Sequence, residues 1–386
     1  MIPYGRQEIS DDDISAVVAV LRSDFLTQGP LVPLFEQAVA VACGGTHAVA
    51  VNSATSALHI ACLALGLGPG DWLWTSPITF VASANCALYC GAQIDFVDID
   101  RFSYNLSVER LEEKLIKAER EGRLPKVVIP VHLCGQSCDM AAIGRLSSRY
   151  GFRIIEDASH AIGGSYLKEP IGSCRYSDIT VFSFHPVKIV TTGEGGMVLT
   201  NDQMLAEKMA LLRSHGITRD PSQMASAPDG PWYYQQITLG FNYRMTDIQA
   251  ALGASQMTRL PEFVARRQRI AARYDEGLAG LPLVTPWQHP DTQSARHLYV
   301  IRLAESRGKD FHSYVFDALR AAGIGVNLHY IPVYLHPYYR SIGFIPGHCP
   351  ESERYYGEAI SLPIFSGLTD QQQDEVISAL EKVLAQ

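Results

Sequence analysis

The sequence predicts an α/β fold, a three-layer sandwich in which helices cover both faces of a mostly parallel sheet. Three observations predict it. Seven short runs rich in β-branched and aromatic residues alternate with helical stretches between residues 47 and 200. Several of these runs are apolar at consecutive positions, as strands covered on both faces are. A chain of 386 residues with 47% hydrophobic content can bury a large core, and its length suggests about two domains.

The elements follow in order. The acidic start Ser10-Asp11-Asp12-Asp13, ahead of an amphipathic pattern, predicts a helix over 10–22, because carboxylates favour a helix N-terminus. Strands are expected near 47–51, 72–75, 93–97, 126–131, 153–156, 179–184 and 196–200, giving a seven-stranded sheet. Residues 219–233, rich in Pro, Gly and Ser, read as a loop. A helical stretch over 245–256 leads out of the large domain, and Thr258-Arg259-Leu260-Pro261 breaks it. This divides the chain into 1–257, an N-terminal segment plus the large domain, and 258–386, a smaller α+β domain. The latter shows helices near 262–279, 311–322 and 370–384, with short strands near 297–303 and 325–330.

Composition excludes several classes. A net charge of −8 and a pI near 5.8 argue against a general nucleic-acid or anionic-membrane binder. No 18-residue apolar run free of charge is present, so no membrane span is expected. Residues 1–8 lack the basic-then-apolar pattern of a secretory signal. The eight cysteines are scattered without the two-residue gap of zinc knuckles, which predicts reduced thiols, a cytoplasmic location and no metal.

Three segments carry chemistry. Lys188 follows the strand Ile179-Thr180-Val181-Phe182-Ser183-Phe184 and precedes Thr191-Thr192-Gly193-Glu194-Gly195-Gly196. A lysine delivered by a strand into a Gly-rich turn suits amine chemistry with carbonyl compounds, pyridoxal phosphate among them; the plain alternative is a solvated lysine beside a hairpin. Asp157, in Glu156-Asp157-Ala158-Ser159-His160-Ala161, stands at the carboxyl end of a strand, where α/β sheets place ligands. A carboxylate there favours a protonated pyridine nitrogen, or else caps a helix. In Asn52-Ser53-Ala54-Thr55-Ser56 a strand gives way to a helix start, whose free amides bind phosphate; Ser and Thr are also ordinary helix caps.

Together these segments resemble the sugar aminotransferases of the DegT/DnrJ/EryC1/StrS family. The likeness runs nearly end to end from Tyr4. It includes Leu26-Thr27-Gln28-Gly29-Pro30, Ser76-Pro77-Ile78-Thr79-Phe80-Val81, Arg213-Ser214-His215-Gly216-Ile217 and Leu239-Gly240-Phe241-Asn242-Tyr243-Arg244-Met245. Ser159-His160-Ala161, Ser183-Phe184-His185 and His329-Tyr330-Ile331-Pro332-Val333-Tyr334 look most like the pseudaminic acid branch.

The resemblance implies the aspartate-aminotransferase fold (fold type I) and the cofactor pyridoxal 5'-phosphate, cycling through its pyridoxamine form. It implies Lys188 as the covalent anchor and proton carrier, and Asp157 as partner of the pyridinium nitrogen. Phe80 and His160 would face the two sides of the pyridine ring; the alternatives are core packing for Phe80 and a structural role for His160. Ala54, Thr55 and Ser183 would hold the phosphate, completed by Asn242 across a homodimer with a shared active site. Arg244 would lie nearby, pair with Asp247 or face solvent. Tyr4, Asp24, Phe25, Leu26, Thr27, Asn327, Leu328, His329 and Tyr330 would contact a UDP-linked sugar, although Tyr330 and Tyr334 also suit an interface or a core. His185 is a family marker. The implied reaction is transfer of an amino group from L-glutamate to the C4 ketone of a UDP-linked 4-keto-6-deoxy-N-acetylhexosamine. Three rivals are a UDP-4-ketopentose or other nucleotide-sugar aminotransferase, a sugar dehydratase, and a regulator without catalysis. Dehydratases of this fold carry histidine where this chain has Lys188.

Overall fold

The computed structural model describes residues 1–303 and 308–385. Seven strands form one sheet: β1 (His47–Val51), β2 (Trp72–Thr75), β3 (Gln93–Phe96), β4 (Val127–Ile129), β5 (Arg153–Asp157), β6 (Ile179–Ser183) and β7 (Gly196–Thr200). They lie in the order β1-β7-β6-β5-β4-β2-β3. Only β7 is reversed, running antiparallel to β1 and β6, and the remaining neighbours pair in parallel. Parallel neighbours need long crossovers, which the helices supply.

The helices among the described residues are α1 (Asp11–Leu21), α2 (Leu31–Cys43), α3 (Ala54–Ala64), α4 (Ala82–Tyr89), α5 (Val108–Glu121), α6 (Met140–Tyr150) and α7 (Gln203–Arg213). They continue as α8 (Asp247–Met257), α9 (Leu260–Gly277), α10 (Gly308–Ala321), α11 (Pro337–Ser341), α12 (Pro350–Glu358) and α13 (Asp370–Leu384). Alternate residues of each strand serve opposite faces. Val49, Leu73, Ile94, Val127, Ile155, Val181 and Val198 pack with α3, α4 and α7. On the other face, Ala50, Phe182, Met197 and Leu199 meet α2 and α8, while Trp74, Val128 and Ile154 meet α5 and α6. This double coverage explains the unbroken apolar runs. None of the described helices is long and apolar enough to cross a membrane.

A second sheet joins β8 (Leu283–Val284), β9 (Tyr299–Leu303) and β10 (Ala359–Leu362), with β9 central and all pairs antiparallel. Its core takes Tyr274 from α9, Leu319 from α10, Leu380 from α13, and also Ile2. The strand expected near 325–330 does not form. That stretch makes only single bridges, Ile2 with Ile324 and Asn327 with Ser361. The Leu328 amide turns onto the Asn327 side chain instead (2.9 Å), and Pro332 has no amide to give to a ladder. The loop expected at 219–233 closes an open hairpin between 217–218 and 235–236.

Candidate active site

The carboxyl ends of the parallel strands, the helix start after β1 and the Asn327–Tyr330 segment surround one cavity of about 1020 Å³. Lys188, Asp157, Ala54, Thr55, Phe80, His160, Ser183, Tyr4, Asn327, Leu328, His329 and Tyr330 all line it.

Lys188 sits in the connection between β6 and β7, and that connection is tied across its base. The Phe184 amide donates to the Gly195 carbonyl (2.9 Å), and the Thr192 amide and Thr191 hydroxyl both donate to the Phe184 carbonyl (3.0 Å each). Burial pushes the Lys188 amine down to about 8, with the Asp157 charge opposing that shift. The same burial, together with the Lys188 charge, holds His160 well below the usual histidine range and pushes His329 down to about 3.

Asp157 is the last residue of β5, not a helix cap, and is 6% exposed. The Ser83 hydroxyl donates to its Oδ2 (2.6 Å) and the Ser159 amide to its Oδ1 (3.1 Å). Thr79 Oγ1 stands 2.8 Å from Ser83 Oγ, so two buried hydroxyls back one carboxylate. Two donors, one on each oxygen, fix the carboxylate's rotation.

α3 begins at the cavity wall. Ser53 caps it by accepting from the Ser56 amide, and the Ser56 hydroxyl donates to Asn52 Oδ1 (2.6 Å). The amides of Ala54 and Thr55 head the helix, where backbone donors lack intrahelical partners. β7 supports this turn from below. A Cβ on Gly196 would lie 2.6 Å from the Ser53 carbonyl and 2.7 Å from the Ala54 nitrogen, so only glycine lets the turn settle there. Gly196 is paired with Ser183, which brings the Ser183 side chain beside the same turn.

Phe80 is 60% exposed at the cavity wall, so it is not a core residue, and its ring centroid lies 6.5 Å from that of Tyr330. His160 is 5% exposed, with Nε2 3.2 Å from Tyr330 Oη. His329 is held through Ser361 Oγ (2.8 Å) and its own carbonyl, which accepts from Tyr355 Oη (2.7 Å). Tyr334, by contrast, is a core residue whose hydroxyl donates to Glu353.

Five expected site residues do not line the cavity of the single chain. Asp24, Phe25, Leu26 and Thr27 are exposed, as is Asn242. The two segments are tied together on the surface through a Thr27–Thr246 bridge and the Asp247 amide on the Leu26 carbonyl (3.0 Å). Of the alternatives for Arg244, the pair with Asp247 does not form. Both Asp247 oxygens accept backbone amides, those of Gly29 and Leu31, at 2.8 Å. Sequence reasoning gave no role to Thr79, Ser83 or His297, which the fold brings to the cavity. Ser83 has a weak signal, one helical turn after Phe80; His297 has none, being 109 residues from Lys188 in sequence (297 less 188).

These residues fit pyridoxal phosphate: an amine, a fixed carboxylate, a helix N-terminus for the phosphate and an aromatic ring at the wall. The comparisons with known proteins agree. The chain is 39% identical over 386 residues to the spore coat polysaccharide biosynthesis protein SpsC of Bacillus subtilis, covering 99% of this chain and 97% of that protein. It superposes on Helicobacter pylori PseC, an aminotransferase of pseudaminic acid biosynthesis, with a TM-score of 0.90 at 30% identity, covering 100% and 99% of the two chains. A Streptococcus pneumoniae protein named as a sugar aminotransferase, Spr1654, matches in its PMP form with a TM-score of 0.90 at 29% identity, covering 100% and 99%. The architecture is thus that of fold type I enzymes, and the family depends on pyridoxal phosphate. Since the family's sequence model spans residues 7–381, this chain belongs to the DegT/DnrJ/EryC1/StrS aminotransferase family.

Proposed function

We propose that the protein transfers an amino group from L-glutamate to the C4 ketone of a UDP-linked 4-keto-6-deoxy-N-acetylhexosamine. The product would be UDP-4-amino-4,6-dideoxy-N-acetyl-β-L-altrosamine, a pseudaminic acid precursor. The observation that carries the reading is the convergence of a lysine amine lowered to about 8, a doubly held aspartate and a helix N-terminus on one cavity. The similarity to PseC supports the choice of sugar.

The bound cofactor would supply an electron sink for the carbon that loses its proton. Asp157 would hold the positive charge of the pyridine nitrogen. The α3 amides and the Ser183 hydroxyl would grip the phosphate, and Phe80 and His160 would sandwich the ring. Lys188 Nζ would anchor the cofactor and then carry the proton to and from the reacting carbon. An amine titrating near 8 can serve as both acid and base at neutral pH. Tyr4, His329 and Tyr330 would contact the nucleotide-linked sugar, with binding supplying orientation rather than chemistry.

Asn242 and the 24–27 segment would serve the neighbouring subunit's cavity in a homodimer, in keeping with their exposure here. A division of the chain at 257/258 and a cytoplasmic location complete the reading. The higher identity to SpsC, named for spore coat polysaccharide, favours as second reading a different nucleotide-linked keto sugar.

The test follows the visible absorbance of the purified holoprotein through single half-reactions. L-Glutamate should bleach the lysine-bound cofactor band, and the UDP-4-keto sugar should restore it. Restoration by a different keto sugar alone would favour the second reading. Absence of a visible band after incubation with pyridoxal phosphate would overturn both.

A further inference from the structure

Glu156 is the neighbour of Asp157 in β5, and strand alternation turns it to the opposite face of the sheet, away from the cavity. It is 6% exposed, and among the described residues no lysine or arginine pairs with it. Its carboxylate is instead ringed by other donors. The Ser177 and Thr180 hydroxyls donate to Oε1, the second at 3.3 Å, and His132 Nε2 stands 2.7 Å from Oε2. The Cys138 amide donates to His132 Nδ1 (3.2 Å), which leaves Nε2 as the nitrogen that donates to Glu156. His132 is fully buried. The carboxylate thus ties the chain after β4 to β6, across β5. A buried and satisfied polar network of this kind fixes geometry more than it adds stability.

The geometry it fixes is the backbone of Asp157. β4 ends at Ile129, and Pro130 has no amide to extend the ladder. Beyond that point the Asp157 amide donates to the Pro130 carbonyl, and the Asp157 carbonyl accepts from the His132 amide (3.0 Å each). On the β6 side the Ala158 amide donates to the Val181 carbonyl (2.9 Å). The residue whose backbone clamps Asp157 is therefore the residue whose side chain grips Glu156. We propose that Glu156 is a positioning residue that acts through His132 to fix the Asp157 carboxylate in the cavity. The Ser83 and Ser159 donors then meet a carboxylate already in place. Without Glu156, His132 loses its acceptor, the 130–132 segment can turn, and the Asp157 side chain moves with the backbone that carries it. A displacement of about 1 Å is enough to slow a reaction.

The inference rests on the aminotransferase reading, in which Asp157 holds the charge of the cofactor's nitrogen. Glu156→Leu fills the space and removes the acceptors. Glu156→Gln keeps an oxygen for His132, and the Ser177 and Thr180 hydroxyls can turn to accept from its amide. The first readout is the pH titration of the Lys188 amine in the apoprotein by pulse acetylation. It needs no cofactor and senses the Asp157 charge, which supports the ammonium form. The second is the single-turnover rate with L-glutamate per bound cofactor, beside KM for the keto sugar. In Glu156→Leu the Lys188 midpoint should fall and the rate should drop about tenfold with KM unchanged. Glu156→Gln should restore both. A wild-type midpoint or a wild-type rate in folded Glu156→Leu, whatever its melting temperature, would overturn the proposal. If Glu156→Leu does not fold, His132→Phe breaks the same contact from the other side and enters the same measurements with the same outcomes. A wild-type holoprotein without a visible band or turnover would instead sink the aminotransferase reading, while the Lys188 titration would still decide whether Glu156 places Asp157.

Discussion

The lowered basicity of Lys188 can be measured directly. The amine falls from 10.5 to about 8 through burial, against the opposing Asp157 charge. At pH 7.5, roughly a quarter of a group titrating at 8 is neutral, against about one in a thousand for an ordinary lysine. Pulse acetylation of the apoprotein with acetic anhydride, read by mass spectrometry of the Lys188 peptide, reports that neutral fraction. Labelling should reach half its maximum near pH 8, while the unfolded chain continues rising past pH 10. Asp157→Asn removes the charge that supports the ammonium form and should move the midpoint lower still. The sign for stability follows. The folded value lies below the unfolded one, so between pH 8 and 10.5 the unfolded state holds a proton that the native amine has lost. Apoprotein stability therefore rises with pH across that window, by up to about 3 kcal/mol. A Lys188 labelling curve that matches the unfolded chain would refute the argument.

Two further changes test the parts around the lysine. Ser83→Ala removes the 2.6 Å donor from Asp157 Oδ2. A hydrogen bond to a charged group contributes about 1.5–3 kcal/mol, so cofactor retention by equilibrium dialysis should weaken by about tenfold or more; unchanged retention would show that the carboxylate needs no such support. Gly196→Ala drives a methyl against the Ser53–Ala54 peptide, at 2.6–2.7 Å. The overpacking should cost about 1–3 kcal/mol and raise the pyridoxal phosphate dissociation constant. The control Gly357→Ala, with open space around it, should behave as wild type in the same titration.

How much the sequence reveals depends on how local the signal is. The seven sheet strands were legible because double burial makes each a compact apolar run, and the Lys188 turn because a glycine-rich hairpin cannot be mistaken for helix. Asp157 and the Asn52–Ser56 turn stand at strand-to-loop transitions that the residues themselves mark. The 325–330 stretch misled because Val326 and its neighbours are apolar without forming a ladder: their amides and carbonyls meet single partners in two different segments. Ser83 gave only a weak signal and His297 none. One is a serine among small helix residues, and the other gains its neighbour only when α9 and the 296–297 segment fold against the loop after β5. Asn242 and residues 24–27 matched family motifs, yet a single chain leaves them exposed.

The docking of residues 2–4 has a consequence for the order of events on the ribosome. Ile2 exchanges backbone hydrogen bonds with Gly323 and Gly325, and Tyr4 accepts from the Ile364 amide. These partners emerge more than 300 residues later, so the segment that carries Tyr4 must wait through most of translation before it has anywhere to bind. Until then the cavity lacks one wall. A nascent chain stalled before residue 323 would present an open, solvent-flooded site, and its capture of the sugar substrate should lag behind its capture of the cofactor.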